Sequence, residues 1–393
     1  MSWTPLLTGD LAERAVARAR EIAVAQAAMP SAIAPDRVLY WAYTCAVFDE
    51  PFANDAYGAA LDDLVASLGR GAPHLGLFGG LTNAAWVLCH TLDADDSEES
   101  LAAIDEALLR VLGEQTWTGA HDLIEGLVGF GVYFLERLAH GADAKATEGL
   151  ARVTTHLDRT ATKTDDGATW HTPLSLLPPS FASEYPDGFY DCGIAHGVPG
   201  MIGFLARAST HVPQRGRALA LEARRWLEAT ATGGDGERTF PGKRTGRLPS
   251  TTHTEAARTA WCYGDPGVAV GLWWAERAFG HETSSIDATE LALRALRRDM
   301  ERARVIDATL CHGAAGLGHI SNRFFHATRD AAFAEQARTW FARALELPIP
   351  SEPAFLDGSA GVGLALLAAT TASEPAWDRL LLTDLATDED AEG

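Results

Sequence analysis

Cys311 and His312 stand side by side in "CHGAAGLG", and Cys262 takes the matching place one glycine motif earlier, in "WCYGDPG". Two thiolates and one imidazole are a donor set that holds zinc while leaving one coordination position open for chemistry. Adjacent side chains in a continuous helix diverge by about 100°, so both could reach one ion only at a helix end or loop. A glycine turn is such a place. Spacing alone argues the other way: the 49 positions from Cys262 to Cys311 match no short zinc motif, and free cysteine is among the most often buried residues. What favours ligation is that the two cysteines occupy one slot in successive repeats.

His196 in "GIAHGVPG" takes the slot of His312 with no cysteine before it. A lone His is more often structural, yet one facing a metal can carry protons. Asp122 in "HDLIEGLVG" reads by default as a helix N-cap; it could equally orient a catalytic His. Arg258 precedes Cys262 by four residues, one turn away if that stretch is helical, and otherwise a partner for a carboxylate. Glu125 and Asp357, also just ahead of glycines, could instead be the acid and base of a metal-free glycosidase, where some of the 11 Trp would stack on sugar. Trp41, Trp86, Trp226, Trp273, Trp274 and Trp340 fall in helical patterns and read more simply as core, as do Cys45 and Cys89; Cys192 is left open. No GxxxxGK[ST], HExxH or GxSxG pattern occurs, so phosphate-loop, zincin and hydrolase-elbow chemistry get no support.

Positioning these residues falls to a repeat. Glycine pairs spaced three apart lead apolar helical segments at Gly126, Gly197, Gly264, Gly313 and Gly358, with a degenerate copy at Gly80 where Asn83 replaces the second glycine. The intervals of 46, 71, 67, 49 and 45 residues suit two helices and two loops each, the long ones carrying insertions near 160–190 and 234–252. Between them run helices with charged faces and one apolar stripe, such as "DAAFAEQARTWFARALEL", as expected of helices with one side in water. The glycine-led helices are apolar nearly all round and should be buried. Buried and half-exposed helices in alternation predict an all-α fold, an α/α toroid of six to seven inner and outer helices, with the glycine motifs at the inner-helix starts. Helices at 7–29 and 39–50 would complete it, in a single domain over 1–393 ending in an acidic tail at about 383–393. Residues just ahead of each glycine, Tyr263 among them, would then share one rim.

A net charge of −21 repels phosphate backbones and anionic lipid headgroups, which argues against nucleic-acid and membrane roles. The N-terminus lacks the basic and apolar blocks of a signal peptide, and no run of 18 apolar residues occurs, so a cytoplasmic protein is expected. Five scattered cysteines are no disulfide framework.

"WCYGDPG", "CHGAAGLGHI", "GIAHGVPG" and "HDLIEGLVG", in the order Asp, His, Cys, Cys-His, resemble the lanthionine synthetase C-like family, the cyclases of lantibiotic biosynthesis, from about Leu75 to Leu367. The resemblance implies Zn2+ held by Cys262, Cys311 and His312, and roles for Asp122, His196, Arg258 and Tyr263. It implies a reaction in which a peptide cysteine thiol adds to dehydroalanine or dehydrobutyrine, closing a (methyl)lanthionine thioether ring. The substrate would be a dehydrated precursor peptide, leader plus core, supplied by a dehydratase partner; a monomer is the default. An alternative within the family is a zinc protein that binds a small thiol such as glutathione without making rings.

Overall fold

A computed structural model describes residues 3–29, 34–72, 74–113, 116–141, 144–233, 239–245 and 256–385. Most of the insertion expected at 234–252, and the acidic tail beyond 385, lie outside the described residues. The described chain forms two compact units, Met1–Leu75 with Gly79–Asp93 and Leu293–Gly393, and Gly76–Phe78 with Ala94–Ala292.

In the first unit the glycine-led helices are Leu81–Thr91, Ala314–Thr328 and Ser359–Thr370, and nearly every residue of each is buried. Gly9–Ala28, Pro51–Arg70 and Ala331–Glu346 bury one stripe each. The helix expected at 39–50 runs instead over Ala34–Cys45. Pro35 suits a first helical turn, and Pro51 opens the next helix, a 20-residue element that the apolar pattern did not announce. The second unit repeats the scheme: Leu127–Ala139, Val198–Ala208 and Asp265–Phe279 are buried, while Ala144–Thr160 exposes a charged face.

Four of the six glycine-led helices, those starting at Leu81, Leu127, Ala314 and Ser359, share a device for their N-termini, where the first backbone N–H groups have no partner inside the helix. None carries a side-chain cap. Instead the loop ahead folds back so that its carbonyls accept those protons at a constant offset of seven residues. Leu127, Val128 and Gly129 donate to Ala120, His121 and Asp122. Ala314, Ala315 and Gly316 donate to Asp307, Ala308 and Thr309, and Leu81 and Thr82 to His74 and Leu75. This fold-back is what glycine permits: a Cβ on Gly316 would run into the Leu310 carbonyl oxygen. Gly264, at φ 120°, holds a backbone conformation that residues with a Cβ rarely adopt. Asn83 is accommodated because its Oδ1 accepts the Gly79 N–H at 3.2 Å.

The insertion expected near 160–190 is ordered. Thr162–Thr164 pairs antiparallel with Gly167–Thr169, and His171–Thr172, Phe189–Asp191 and Lys243–Arg244 form a three-stranded sheet. Two single 3₁₀ turns, Leu174–Leu176 and Pro179–Phe181, lie between its first two strands. No helix among the described residues is long and apolar enough to cross a membrane.

Candidate functional site

In the second unit the loops ahead of two glycine-led helices meet directly: Leu123 N–H donates to the Ala195 carbonyl. That contact brings Asp122 and His196 together, with Asp122 Oδ2 2.7 Å from His196 Nδ1. The other carboxylate oxygen, Oδ1, accepts the Glu125 N–H at 2.8 Å. Gly126, not Asp122, is the helix N-cap; the Asp122 carboxylate instead spans the turn N–H of Glu125 and the imidazole of His196. His196 is set deep yet keeps 43% of its side-chain surface open. Burial opposes its charge, but the hydrogen bond and charge of Asp122, with Asp191 and Cys262 nearby, outweigh it and push the imidazole up to about 9.

Tyr263 donates its hydroxyl proton to Asp191 Oδ2 at 2.7 Å, and its ring lies 6.4 Å from that of His196, inclined at 26°. Burial, then the Asp191 charge, holds the phenol well above its ordinary range. Asp191 is fully enclosed and also accepts the Gly193 N–H at 2.8 Å; burial raises its carboxyl to about 6, against the pull of His196 and Lys243. Sequence reasoning missed Asp191. It sits five residues before His196, where a strand ends, and only the pairing of that strand turns it inward. Gly193 lets this segment approach the next motif, since a Cβ there would strike the Cys262 carbonyl. Arg258 is exposed, and the stretch from it to Cys262 is a bend rather than a helix. Its carbonyl packs on Gly264.

In the first unit Cys311 N–H donates to Leu356 O at 3.0 Å, which ties the "CHG" loop to the "DGSAG" loop. His312 then lies between two carboxylates, Nε2 3.3 Å from Asp307 and Nδ1 3.4 Å from Asp357. Asp307 was another residue missed. The His312 contact, aided by Thr309, holds its carboxyl well below the usual range, and it accepts from both Thr309 N–H and Oγ1. Asp357, weighed as a glycosidase residue, faces an imidazole here. Glu125 is exposed.

Cys262, in the second unit, and Cys311, in the first, are both buried, and His312 beside Cys311 is half-buried. Cys192, left open by sequence, is enclosed in the core, where burial raises its thiol far above the ordinary value. Cys89 is buried, while Cys45, at a helix end, is half-buried.

The family model for lanthionine synthetase C-like proteins matches residues 40–382. The chain belongs to the lanthionine synthetase C-like family. Among solved structures this family member is similar to one described as nisin cyclase, with a TM-score of 0.75 and 18% identity over 89% of this chain and 90% of that one. Its fold is accordingly an α/α toroid. No curated protein matches it in sequence.

Proposed function

We propose that this lanthionine synthetase C-like protein is a zinc-dependent lanthipeptide cyclase, working as one domain over 1–393 on a dehydrated precursor peptide that a separate dehydratase supplies. The observation that carries the reading is that Cys262 and the Cys311–His312 pair hold the same slot ahead of successive glycine-led helices, Asp265–Phe279 and Ala314–Thr328. The donor chemistry fits zinc: Cys262, Cys311 and His312 would hold the ion with two thiolates, which balance its charge, and one neutral imidazole. Zinc bound there would lower the pKa of an incoming thiol so that thiolate forms near neutral pH.

The protein's own groups do the rest. Asp307 faces His312 Nε2 and Asp357 faces Nδ1; with one nitrogen given to zinc, the carboxylate on the other would accept its N–H and fix the ring, as carboxylates beside metal-ligating imidazoles do. Addition forms a bond from sulfur to Cβ of the dehydro-residue, moves the π pair toward its carbonyl as an enolate, and ends when Cα takes a proton. His196 supplies that proton from Nε2, because Nδ1 is engaged by Asp122 and the Asp122 charge keeps the imidazole protonated. The peptide thiol's own proton balances the count, returning to His196 directly or through solvent. Tyr263, braced by Asp191, presents its ring beside His196, and Arg258 offers a cation for the developing negative charge.

Elemental analysis of the purified protein, joined to cyclisation of a dehydrated peptide, tests the reading. One equivalent of zinc that Cys262→Ala or Cys311→Ala abolishes is expected, together with loss of alkylatable thiol at unchanged peptide mass. Zinc with no thiol loss would leave the non-cyclising, thiol-binding alternative; no zinc would end both.

A further inference from the structure

Beside the Asp122 and His196 pair, the second unit holds a cavity of about 360 Å³. One side is the motif side, with Asp122, Asp191, His196 and Tyr263; the facing wall comes from the insertion, with Leu176, Leu177, Pro178, Phe181 and Phe189. Two of the motif-side carboxylates are engaged, Asp122 by His196 and the Glu125 N–H, Asp191 by Tyr263 and the Gly193 N–H, while Glu125 lines the cavity with an exposed side chain. The insertion side adds mostly apolar surface, with Thr172, Ser175 and Lys243 as its polar members. Leu174 and Leu176 are among the few large hydrophobic side chains that the described residues leave exposed, at 41% and 36%, and exposed apolar groups clustered beside a polar site mark a place where something binds.

The wall is clasped to the motif side. Lys243, on the third strand of the insertion sheet, sets its ammonium 5.3, 5.6 and 5.1 Å from the rings of Phe181, Tyr185 and Phe189, and 4.8 Å from the ring of Tyr263. A cation over several ring faces draws them together, so the insertion is fixed against the residue that follows Cys262. A wall held in this way can select by shape.

We infer that this cavity is a side-chain subsite for a bulky apolar residue, of the Leu or Phe class, next to the dehydro-residue of the substrate peptide. The inference rests on the cyclase reading for the identity of the peptide. Successive Cα atoms are about 3.8 Å apart, so a peptide whose reacting Cα meets His196 carries its neighbour's side chain toward Leu176 and Leu177. Pockets of roughly 300–1,000 Å³ hold a small ligand; 360 Å³ accommodates one or two side chains and no folded segment.

The test uses short peptides with one dehydroalanine flanked by phenylalanine or by glycine, the cysteine alkylated so that nothing reacts, and measures affinity by calorimetry on the zinc-loaded full chain. The phenylalanine peptide is expected to bind at least tenfold more tightly than the glycine one, and Leu176→Asp and Leu177→Asp to bring that ratio within twofold, with melting temperatures recorded to show that both variants fold. A wild-type ratio within twofold, binding of neither peptide, or a ratio that both variants leave intact would overturn the subsite. Free-cysteine versions run in parallel separate the two ideas: preference without thioether formation sinks the cyclase reading alone, and thioether formation without preference sinks the subsite alone.

Discussion

Asp122 Oδ2 meets His196 Nδ1 at 2.7 Å across 74 positions of sequence, and this carboxylate is the main force holding the imidazole charged in a place where burial would discharge it. A proton donor with a raised pKa loses activity as pH climbs through that value. The wild-type rate is therefore expected to fall on the alkaline side near pH 9. Asp122→Asn keeps the shape and removes the charge, so the fall should move down toward the ordinary imidazole value of about 6.5. A bound dication lowers both values, which makes the difference between the two pH profiles the quantity to read. Identical alkaline limbs would remove Asp122 from its orienting role.

Asp307 touches His312 Nε2 at 3.3 Å while its Oδ1 is pinned by Thr309. Partners of metal-ligating imidazoles are worth about 10–100-fold in metal affinity. Asp307→Asn is expected to weaken zinc binding by that factor in a chelator competition while leaving the thermal transition of the metal-free protein nearly unchanged. Unaltered affinity would mean that the pair is a surface contact and nothing more.

How far the sequence carried this reading differs between its parts. Cys311, His312, Cys262, His196 and Asp122 could be picked out because each sits at a fixed place before a glycine pair, and repeat register substitutes for spatial knowledge. Asp191 and Asp307 follow no such register. Asp191 enters through the pairing of Phe189–Asp191 with His171–Thr172 and Lys243–Arg244, strands of two or three residues too short to leave a periodic signal. Asp307 enters through an Asp turn onto Thr309 that any loop could contain. Asp122 was open to misreading as a cap because the helices it precedes take their N-terminal partners from backbone carbonyls seven residues back, a solution no side-chain pattern advertises. The helix Pro51–Arg70 went unseen because only Ala53, Ala60 and Leu64 are buried among its residues.

Within the first unit, Asp378 accepts Arg323 Nε at 2.6 Å and Nη2 at 2.7 Å, and lies 2.6 Å from His319 Nε2. All three side chains are almost wholly enclosed. Burial works against the Asp378 charge, but Arg323 and His319 outweigh it and hold the carboxyl low. Breaking a buried ion pair from one side costs about 3–5 kcal/mol, whereas replacing the whole set with apolar groups of similar volume is often neutral or better. Asp378→Ala is therefore expected to lose that much in denaturant unfolding, and the triple replacement His319→Leu, Arg323→Met, Asp378→Leu to recover most of it. Equal losses in both would show that the cluster contributes through its hydrogen bonds rather than its charge balance.

Glu276 gives the second unit a stability that depends on pH. Its side chain is buried in the helix Asp265–Phe279 and Oε1 accepts the Ala288 N–H at 3.0 Å. Burial, helped by Asp287 and Glu228 and opposed by that N–H and Arg224, raises its carboxyl to about 7. The folded state thus binds a proton that the unfolded chain gives up near the ordinary carboxylate value of about 4.3. The sign follows from linkage: the protonated form's contribution is complete below that unfolded value and is lost as pH rises through about 7. Glu276→Gln keeps the acceptor for Ala288 and cannot ionise. Its melting temperature is expected to match the wild type at pH 4 and to exceed it at pH 8, and a gap that stays constant across that range would show that Glu276 remains charged in the folded protein throughout.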